Sequence, residues 1–573
     1  MVLIFVPLFL ILFLNTTSWA AMYYVDVASG NDLNPGTKDQ PLKTISPGVA
    51  KLFAGDTLWV SSGTYRETIN LVRSGSDSGY PISIRSMPGA EVHVKGSDLV
   101  SGWVHDGGSI WKRTNWLINT QQVFVDGLPL QQIGRNCPFN SQIYANKPIL
   151  PPLGENVADM YPGTFFYDQE TKILYVQLPD GSDPNNHQIE VSVRDFIIPP
   201  NDLQYIEIRS LTFSHSNLSS KTIMLGMVNV FGGNWVISNC SFQYGDFVGL
   251  SITGENHKII NNIANYNGNV GIAISGSDAA HNWNRYPNRP PQNILLEGNQ
   301  TNRNNYRKFD NSWQAGGIKA ATSCNGVTIS RHRAESNIGA GIWFDIYSLN
   351  TRIEQCIVSK NMVGIAYEIS DNAVIANNLV TQNTSFGILV AASSGVSVFN
   401  NTVVQNGYSI VLHGMPREDH PTLQNNIVRN NIISESQFVD LIIYNNPSVT
   451  SGNTSDYNLF DENLRITYTS DTGYYPNYTT LSDFAKDTGH EVHSLNTLPK
   501  FKNSATGDYQ ILAGSPAIDT GTNLLTGIGI KDLAGNTRIV DGRKTGNLVI
   551  DMGAYEYSSA QQISAPTSLR VVK

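Results

Sequence analysis

Through the middle of the chain, a glycine and an apolar residue recur together at nearly regular intervals. The intervals between successive copies are 22, 46, 24, 23, 23 and 22 residues. The glycines, and the serine that replaces the last of them, are Gly249, Gly271, Gly317, Gly341, Gly364, Gly387 and Ser409. Short intervals of this kind are typical of a solenoid in which each coil stacks on its neighbours. The interval of 46 is interpreted as one coil with two insertions, because it holds a single apolar strand at 293–299.

Apolar and polar residues alternate after each glycine, which predicts short β-strands with one face in the core. In one coil this alternation points Ile346 into the solenoid and Asp345 out of it. In the next coil it points Ile369 inwards and Glu368 outwards. Side chains at the same position of successive coils should therefore form columns along the helix axis.

A second recurrence lies between successive copies of the first, eight or nine residues before the next glycine in most coils. That position is occupied by Cys240, Asn262, Asn299, His332, Cys356, Asn378 and Asn401. Stacked asparagines can hydrogen-bond along a solenoid and so satisfy amides that would otherwise be buried unpaired. We therefore expect Asn262, Asn378 and Asn401 in one column, and Cys240 and Cys356 as buried hydrophobic residues in it.

These patterns predict an all-β protein, namely a right-handed single-stranded parallel β-helix with an inserted antiparallel β subdomain in its N-terminal part. A capping helix is expected at 45–52, because the end of a solenoid exposes unpaired strand edges. The predicted parts are an N-terminal cap with the first coils at 22–97, the insertion at 98–193, the main β-helix with the active face at 194–445, C-terminal coils at 446–557 and a tail at 558–573.

The composition and the N-terminal segment indicate which partners and which cellular location to expect. The net charge of −9 argues against nucleic acid or an anionic membrane as the main partner. Residues 1–21 hold a short apolar run followed by small residues, which predicts a cleaved signal peptide, a secreted or periplasmic protein and no membrane attachment after cleavage. Four cysteines in 573 residues make no disulfide framework, and none has metal-ligand spacing. We expect no metal and no cofactor, and the sequence leaves the oligomeric state open.

The candidate chemistry lies in one pair of carboxylates. Asp345 and Glu368 both stand four residues after a repeat glycine, on consecutive coils. Adjacent strands lie about 4.8 Å apart, so the two carboxylates should be roughly 5 Å from each other. That is close to the spacing of about 5–5.5 Å in retaining glycosidases. Two carboxylates so close do not both ionise readily, so one should keep its proton and act as the acid.

The surroundings of this pair suit a sugar. Lys319 lies one coil away on the diagonal and would help to keep Asp345 ionised. Trp343, two residues before Asp345, would offer an indole for stacking on a pyranose ring. Two insertions in the preceding coil supply further aromatic and basic residues that can wall off a pocket. The candidate substrate-binding residues are Trp343, Lys319, Trp313, Arg307, His281, Trp283 and His413.

Three short stretches resemble the catalytic region of glycoside hydrolase family 120, the β-xylosidase family. They are Gly-Ile-Trp-Phe-Asp at 341–345, Arg-Ile at 352–353 and Tyr-Glu-Ile at 367–369. The segments at 32–37, 54–57 and 551–557 also resemble those of bacterial β-helix carbohydrate enzymes. The resemblance implies Asp345 as nucleophile, Glu368 as acid/base, and a β subdomain that interrupts the N-terminal part of the helix.

The sequence thus predicts an exported glycoside hydrolase that acts on an oligo- or polysaccharide by a retaining double displacement. Two alternatives stay open. A polysaccharide lyase or uronate epimerase on the same fold would use a basic residue such as Lys319, Arg307 or His413 as its base. A non-catalytic glycan-binding solenoid would need neither carboxylate. A Ca²⁺ site is less favoured, because no third outward acid stands beside the pair.

Overall fold

Three long parallel β-sheets wind around a single apolar core. The computed structural model describes residues 20–76, 79–134, 154–218, 225–277, 289–414, 420, 422–470 and 475–558. The predicted right-handed parallel β-helix is confirmed, because successive strands of each sheet pair in parallel with strands one coil away. The interval of 46 is one coil, since the strand Val270–Ser275 pairs directly with Gly316–Ala321.

The sheets are named here in the order in which the chain first enters them. Sheet 1 consists of Met22–Val25, Thr57–Val60, Ile82–Ser86, Ile206–Arg209, Val236–Ser238, Lys258–Ile260, Leu295–Glu297, Thr328–Ser330, Leu349–Glu354, Asp371–Ala376, Ser397–Phe399, Ile427–Arg429 and Thr454–Asp456. Sheet 2 consists of Gly63–Tyr65, Val92–Lys95, Thr212–Ser214, Ser241–Gln243, Ile263–Asn265, Gln300–Asn302, Arg333–Glu335, Ile357–Ser359, Leu379–Thr381, Thr402–Val404, Ile432–Ser434, Leu459–Phe460 and Leu495–Asn496. Sheet 3 consists of Gly226–Val230, Val248–Ile252, Val270–Ser275, Gly316–Ala321, Ala340–Asp345, Val363–Glu368, Phe386–Ala391, Tyr408–His413, Val439–Tyr444 and Ile466–Thr469.

The predicted asparagine column is present. Asn262 donates to Asn299 at 3.0 Å, and Asn378 donates to Asn401 at 2.9 Å, through their side-chain amides. Cys240 lies in the same column, and its backbone N–H donates to the Asn262 side chain at 2.9 Å. Burial raises the pKa of the Cys240 thiol to about 12, so that thiol stays protonated and unreactive.

A second asparagine ladder runs five residues after the first and explains the repeat glycines. Its members are Asn267, Asn304, Asn337, Asn361, Asn383 and Asn406, each joined to the next by a side-chain hydrogen bond of 2.9–3.1 Å. A Cβ atom at Gly364 would lie 2.9 Å from the Asn383 amide nitrogen. The glycine thus makes room for the ladder. Where the ladder ends, serine replaces glycine, and Ser409 bonds Ser436 at 2.7 Å.

The alternation of inward and outward side chains stops at Asp345 and Glu368, so the predicted inward orientation of the next residue is wrong. Ile346 and Ile369 were expected inside the solenoid, but both are half-buried and lie outside the core cluster. The strands end at Asp345 and Glu368, and the next residue takes a left-handed backbone conformation with φ of 52° at Ile346 and 47° at Ile369. A turn residue of this kind redirects the chain, so the period-2 pattern no longer applies.

The predicted inserted β subdomain is confirmed as two small, largely antiparallel sheets. Its strands are Ser97–Leu99, Val104–Gly107, Ile110–Arg113, Val123–Val125, Leu128–Pro129, Gln131–Ile133, Thr164–Asp168, Ile173–Gln177 and Ile189–Ser192. Buried Glu190 ties it to the first coils, accepting from Arg66 at 2.8 Å and Lys95 at 2.7 Å. These contacts fix the subdomain against the solenoid.

Both described ends of the β-helix are covered. The N-terminal helix is Ile45–Lys51, close to the predicted range. At the other end stands a second helix, Leu481–Thr488, whose Phe484 joins the core. Two further strand pairs are Leu423–Gln424 with Thr450–Ser451 and Phe501–Asn503 with Asp508–Ile511. Short 3₁₀ helices lie at Val157–Asp159, Pro184–Asn186 and Ser504–Thr506. The chain then folds back along the solenoid, where Asn400 donates to the Asp551 carbonyl at 2.7 Å.

The predicted signal peptide lies outside the described residues except at positions 20 and 21, and so does the predicted tail except at position 558. Within the described ranges, no helix has the length and apolar character needed to cross a bilayer.

Candidate active site

One column on the outer face of sheet 3 contains the two candidate carboxylates. Ala321 pairs in register with Asp345, and Glu368 pairs in register with Ala391, on four successive coils. Trp343 pairs with Ala366 between those coils, which places Asp345 and Glu368 on neighbouring rungs. The small alanines on either side leave space around the two acids.

Lys319 is bonded directly to one of these acids. Its ammonium donates to Asp345 Oδ2 at 2.7 Å and lies 3.2 Å from the centroid of the Trp343 ring. The Lys319 side chain is 5% exposed and that of Asp345 is 14% exposed. Burial lowers the pKa of Lys319, while the negative charges of Asp345 and Glu368 act in the opposite direction. The site thus holds one buried cation between an indole face and the two acids.

Both oxygens of Asp345 are held in place. Oδ2 accepts from Lys319, and Oδ1 accepts the N–H of Ile346 at 2.9 Å. The left-handed conformation of Ile346 is costly for a β-branched residue, about 1–3 kcal/mol. Ile369 has the same conformation directly after Glu368. Two strained turns therefore follow the two carboxylates, and strain of this kind is common at functional sites.

The outer face of sheet 3 is covered on the N-terminal side of this pair. Phe309 packs against Phe247, with ring centroids 4.9 Å apart, and buries Val270 and Ala273 completely. The segment that carries Phe309 is fixed to the inserted subdomain, because Tyr306 hydrogen-bonds Gln122. A wall therefore stands beside the coil of Lys319.

The other predicted substrate-binding residues lie in different parts of the structure. Arg307 lies in the wall, where it donates to Gln132 of the inserted subdomain and to the Asp246 carbonyl. Trp313 is half-buried in the same segment. His413 lies in the carboxylate column, paired in register with Ala391 and half-buried. His281 and Trp283 lie outside the described residues.

One neighbouring group was not predicted from the sequence. His420 Nε2 bonds Oδ2 of Asp371 at 3.1 Å, and Asp371 stands three residues after Glu368. The centroid of the His420 ring lies 6.1 Å from that of the Tyr347 ring. Sequence reasoning missed it because His420 belongs to a connection outside the repeat. The sequence does place Tyr347 and Asp371 just after the two carboxylates, and this position could have marked them as neighbours of the site.

Across the described ranges, no group of three or more histidine, cysteine, aspartate or glutamate side chains is placed to hold a metal ion. The described arrangement is instead a pair of acids with one buried cation. Two carboxylates and an ammonium so placed suit general acid/base or nucleophilic catalysis.

Family models match two parts of the chain. A model described as right handed beta helix region matches residues 226–415 and 292–470. A model described as a protein of unknown function matches residues 28–126. The uncharacterized protein YwoF of Bacillus subtilis (strain 168) is 36% identical over 73 residues, which is 13% of this chain and 15% of the length of that protein.

Solved structures share the fold. The structure of XylC in complex with xylose aligns with a TM-score of 0.59 at 16% identity and covers 79% of this chain and 86% of that chain. A glycoside hydrolase aligns at 0.46 and 12% identity, covering 78% and 95%, and pectate lyase Pel9A at 0.43 and 14%, covering 94% and 97%. At 16% identity the likeness to XylC shows the fold alone, a right-handed β-helix.

Proposed function

We propose that the protein is a retaining glycoside hydrolase in which Asp345 is the nucleophile and Glu368 the acid/base. The observation that carries the proposal is the placement of two acids on neighbouring rungs of sheet 3, with the buried ammonium of Lys319 bonded to Asp345. Neighbouring rungs lie about 4.8 Å apart, which suits the spacing of about 5–5.5 Å in retaining enzymes.

The first half-reaction forms a glycosyl-enzyme. The Asp345 carboxylate attacks the anomeric carbon, the glycosidic C–O bond breaks, and the Glu368 proton passes to the leaving oxygen. In the second half-reaction Glu368 takes a proton from water, the water oxygen bonds to the anomeric carbon, and the Asp345 carboxylate leaves. Configuration is retained because the carbon is inverted twice.

The hydrogen bonds to Asp345 support the assignment of the two roles. Lys319 and the Ile346 N–H donate to the two oxygens of Asp345 and so fix the orientation of the proposed nucleophile. Glu368 follows on the next rung and is the proposed acid/base. The roles are assigned on the fixed orientation of Asp345.

The ion pair also supports hydrolysis over lyase chemistry. To act as the base of a lyase, Lys319 would have to reach a carbon-bound proton of the substrate as a neutral amine. Lys319 is nearly completely buried, and its ammonium is bonded to Asp345 and lies over the face of Trp343. It is therefore placed to stabilise charge and not to remove a proton from substrate.

We further propose a glycan substrate outside the cytoplasm, with a β-D-xyloside as the first candidate. The apolar run at 1–21 supports export. The XylC structure, which shares the fold, holds xylose. One face of the Trp343 ring is occupied by Lys319, so any stacking of sugar on this indole would use the opposite face.

The test is a screen of the purified protein on aryl glycosides, aryl β-D-xyloside first, and on plant and algal polysaccharides, with the anomer of the first product read by NMR. Asp345→Ala should abolish turnover. Glu368→Ala should retain activity on activated aryl glycosides only, and azide should raise it by trapping the glycosyl-enzyme. Glu335→Ala is the matched control, since Glu335 pairs with Arg333 on sheet 2.

Three results would overturn the proposal. They are a first product of inverted configuration, an unsaturated product that absorbs in the ultraviolet, and full activity in both carboxylate variants. Binding of a glycan without turnover, equal in wild type and both variants, would instead favour the glycan-binding alternative.

A further inference from the structure

His420 connects the two turns that follow the carboxylates. Its Nε2 bonds Asp371 Oδ2 at 3.1 Å, in the coil of Glu368. Its ring lies against Tyr347, in the coil of Asp345, with centroids 6.1 Å apart. The His420 side chain is 13% exposed, so the contact is made largely out of water.

The turns themselves are stacked by backbone hydrogen bonds. Tyr347 N–H donates to the Ile369 carbonyl at 2.6 Å, and Ile369 N–H donates to the Ala391 carbonyl at 3.0 Å. Ile346, Tyr347 and Ile369 all have left-handed backbones. Strained conformations persist only where the surroundings hold them, so this stack needs external support.

The segment around His420 is anchored independently of the ion pair. Thr422 Oγ1 bonds Ser394 Oγ at 3.1 Å, and Gln424 N–H donates to the same Ser394 oxygen at 3.2 Å. Ser394 N–H in turn donates to Asp371 Oδ1 at 3.0 Å. Asp371 is therefore held on one oxygen by its own coil stack and on the other by His420.

We infer that His420 is a positioning residue, which clamps the Ile346–Tyr347 and Ile369–Asp371 turns together and so fixes the two carboxylates relative to each other. The inference rests on the proposed function for its catalytic consequence, but the clamp itself is a structural statement. His420 does not touch the reacting atoms; it acts through Asp371 and Tyr347.

The clamp depends on pH in a definite direction. The hydrogen bond to Asp371 raises the pKa of His420 above its ordinary 6.5, so the folded protein favours the imidazolium. The charge-assisted part of the clamp is therefore complete below pH 6.5 and is lost as the pH rises through the raised pKa. Among the described residues, the titratable groups in contact with His420 are Asp371 and Tyr347.

The first arm of the test does not depend on catalysis. The protection factors of the Tyr347 and Ile369 amides, which correct the exchange rate for its intrinsic pH dependence, should fall above the pKa of His420 in wild type, and should be lowered at every pH in His420→Ala. His493→Ala is the matched control, because His493 forms a similar pair with Asp456, at 2.7 Å, in a C-terminal coil. Exchange at both amides that is unchanged in His420→Ala would overturn the clamp.

The second arm measures turnover of the aryl glycoside found in the screen. In His420→Ala, kcat should fall about tenfold or more with KM changed less than about twofold, since geometry is lost and substrate contacts are kept. His420→Gln can keep a neutral hydrogen bond to Asp371, so it should recover most of kcat and lose the alkaline decline. A fall confined to KM, or a His420→Gln profile identical to wild type, would contradict the inference.

The two proposals fail separately. If no glycoside is turned over by the wild-type protein, the proposed hydrolase function fails, and the exchange experiment still decides whether His420 holds the turns. If turnover is found and the exchange rates do not respond to His420→Ala, the clamp fails and the carboxylate assignment stands.

Discussion

Lys319 is the residue whose contacts say most about the site, because it is a buried cation bonded to Asp345. Breaking a buried ion pair from one side leaves the remaining charge without compensation. The effect should therefore appear in the chemical step more than in the binding of a neutral sugar.

We predict that Lys319→Met lowers kcat by about tenfold to a hundredfold, because the Asp345 carboxylate loses its charge partner in a largely dry site. Steady-state kinetics on the aryl glycoside measures this. Lys360→Met serves as control, since Lys360 is 55% exposed and its pair with Glu335 at 3.2 Å is a surface contact. Equal kcat in wild type and Lys319→Met would contradict the role given to the ion pair.

Glu491 gives a second prediction at this scale, one of stability. It is buried beneath the C-terminal coils, where Ser455, Ser494 and Asn458 donate to it. Burial raises the pKa of Glu491 from 4.5 to about 7. A carboxyl group with a raised folded-state pKa holds its proton more tightly when folded, so stability declines as the pH rises from about 4.5 through about 7.

Glu491→Gln should remove that decline. The urea midpoint of wild type should fall between pH 5 and pH 8 by an amount equivalent to on the order of 2 kcal/mol more than that of the variant. The difference between the two proteins isolates this residue from other titrating groups. A wild type and variant that follow the same pH dependence would show that Glu491 is already ionised when folded.

At the scale of the element, the coil is set by the match between repeat glycines and the second asparagine ladder. A Cβ at Gly364 would lie 2.5 Å from the Gly387 carbonyl oxygen and 2.6 Å from Val380 Cγ1. The first of these atoms belongs to the backbone and the second to a stiff β-branched side chain, so neither can move aside easily. The coil therefore has no room for a methyl group there.

Gly364→Ala should lower the free energy of unfolding by about 1–3 kcal/mol, because overpacking displaces the neighbouring coil. Ser409→Ala is the comparison at the same position of a later coil, where a side chain is already accommodated and only the bond to Ser436 is lost, about 1 kcal/mol. Urea unfolding of both variants decides the matter. A Gly364→Ala variant as stable as wild type would disprove the steric explanation of the repeat.

At the scale of the whole molecule, the inserted subdomain determines which way the site is open. The wall built on Phe309 covers the coils before Lys319, and Ala273 in those coils is completely buried. On the other side of the carboxylates, Leu389 and Phe386 are only half-buried. A sugar site that is covered on one side accepts a chain terminus more readily than the middle of a chain.

The protein should therefore release single sugar units from one end of an oligosaccharide. Chromatography of early products from a reducing-end-labelled oligosaccharide measures this, with monosaccharide and a ladder of shortened labelled chains as the expected result. Tyr306→Phe, which removes the hydrogen bond to Gln122, should allow a small share of internal cuts as the wall loosens. Products of intermediate length from the start in wild type would show an open groove instead.

Several of these features were readable from the sequence alone. The spacing of the glycines predicts the parallel β-helix, and the equal offset of Asp345 and Glu368 predicts that they share a column. The column of Asn262, Asn378 and Asn401 followed from the same reasoning. The second ladder, which includes Asn304 and its partners, was equally periodic and was missed because it stands only five residues behind the first.

What the sequence by itself determined is what repeats. Each coil of a solenoid contacts only its neighbours, so a regular interval fixes the register, and period-2 alternation fixes the facing of each strand. Tertiary structure decided what does not repeat. The left-handed turns at Ile346 and Ile369, the bond from His420 to Asp371, and the wall tied to Gln122 all join residues whose distance along the chain carries no periodic signal. Their positions depend on packing between distant segments, and packing is settled only when the whole chain has folded.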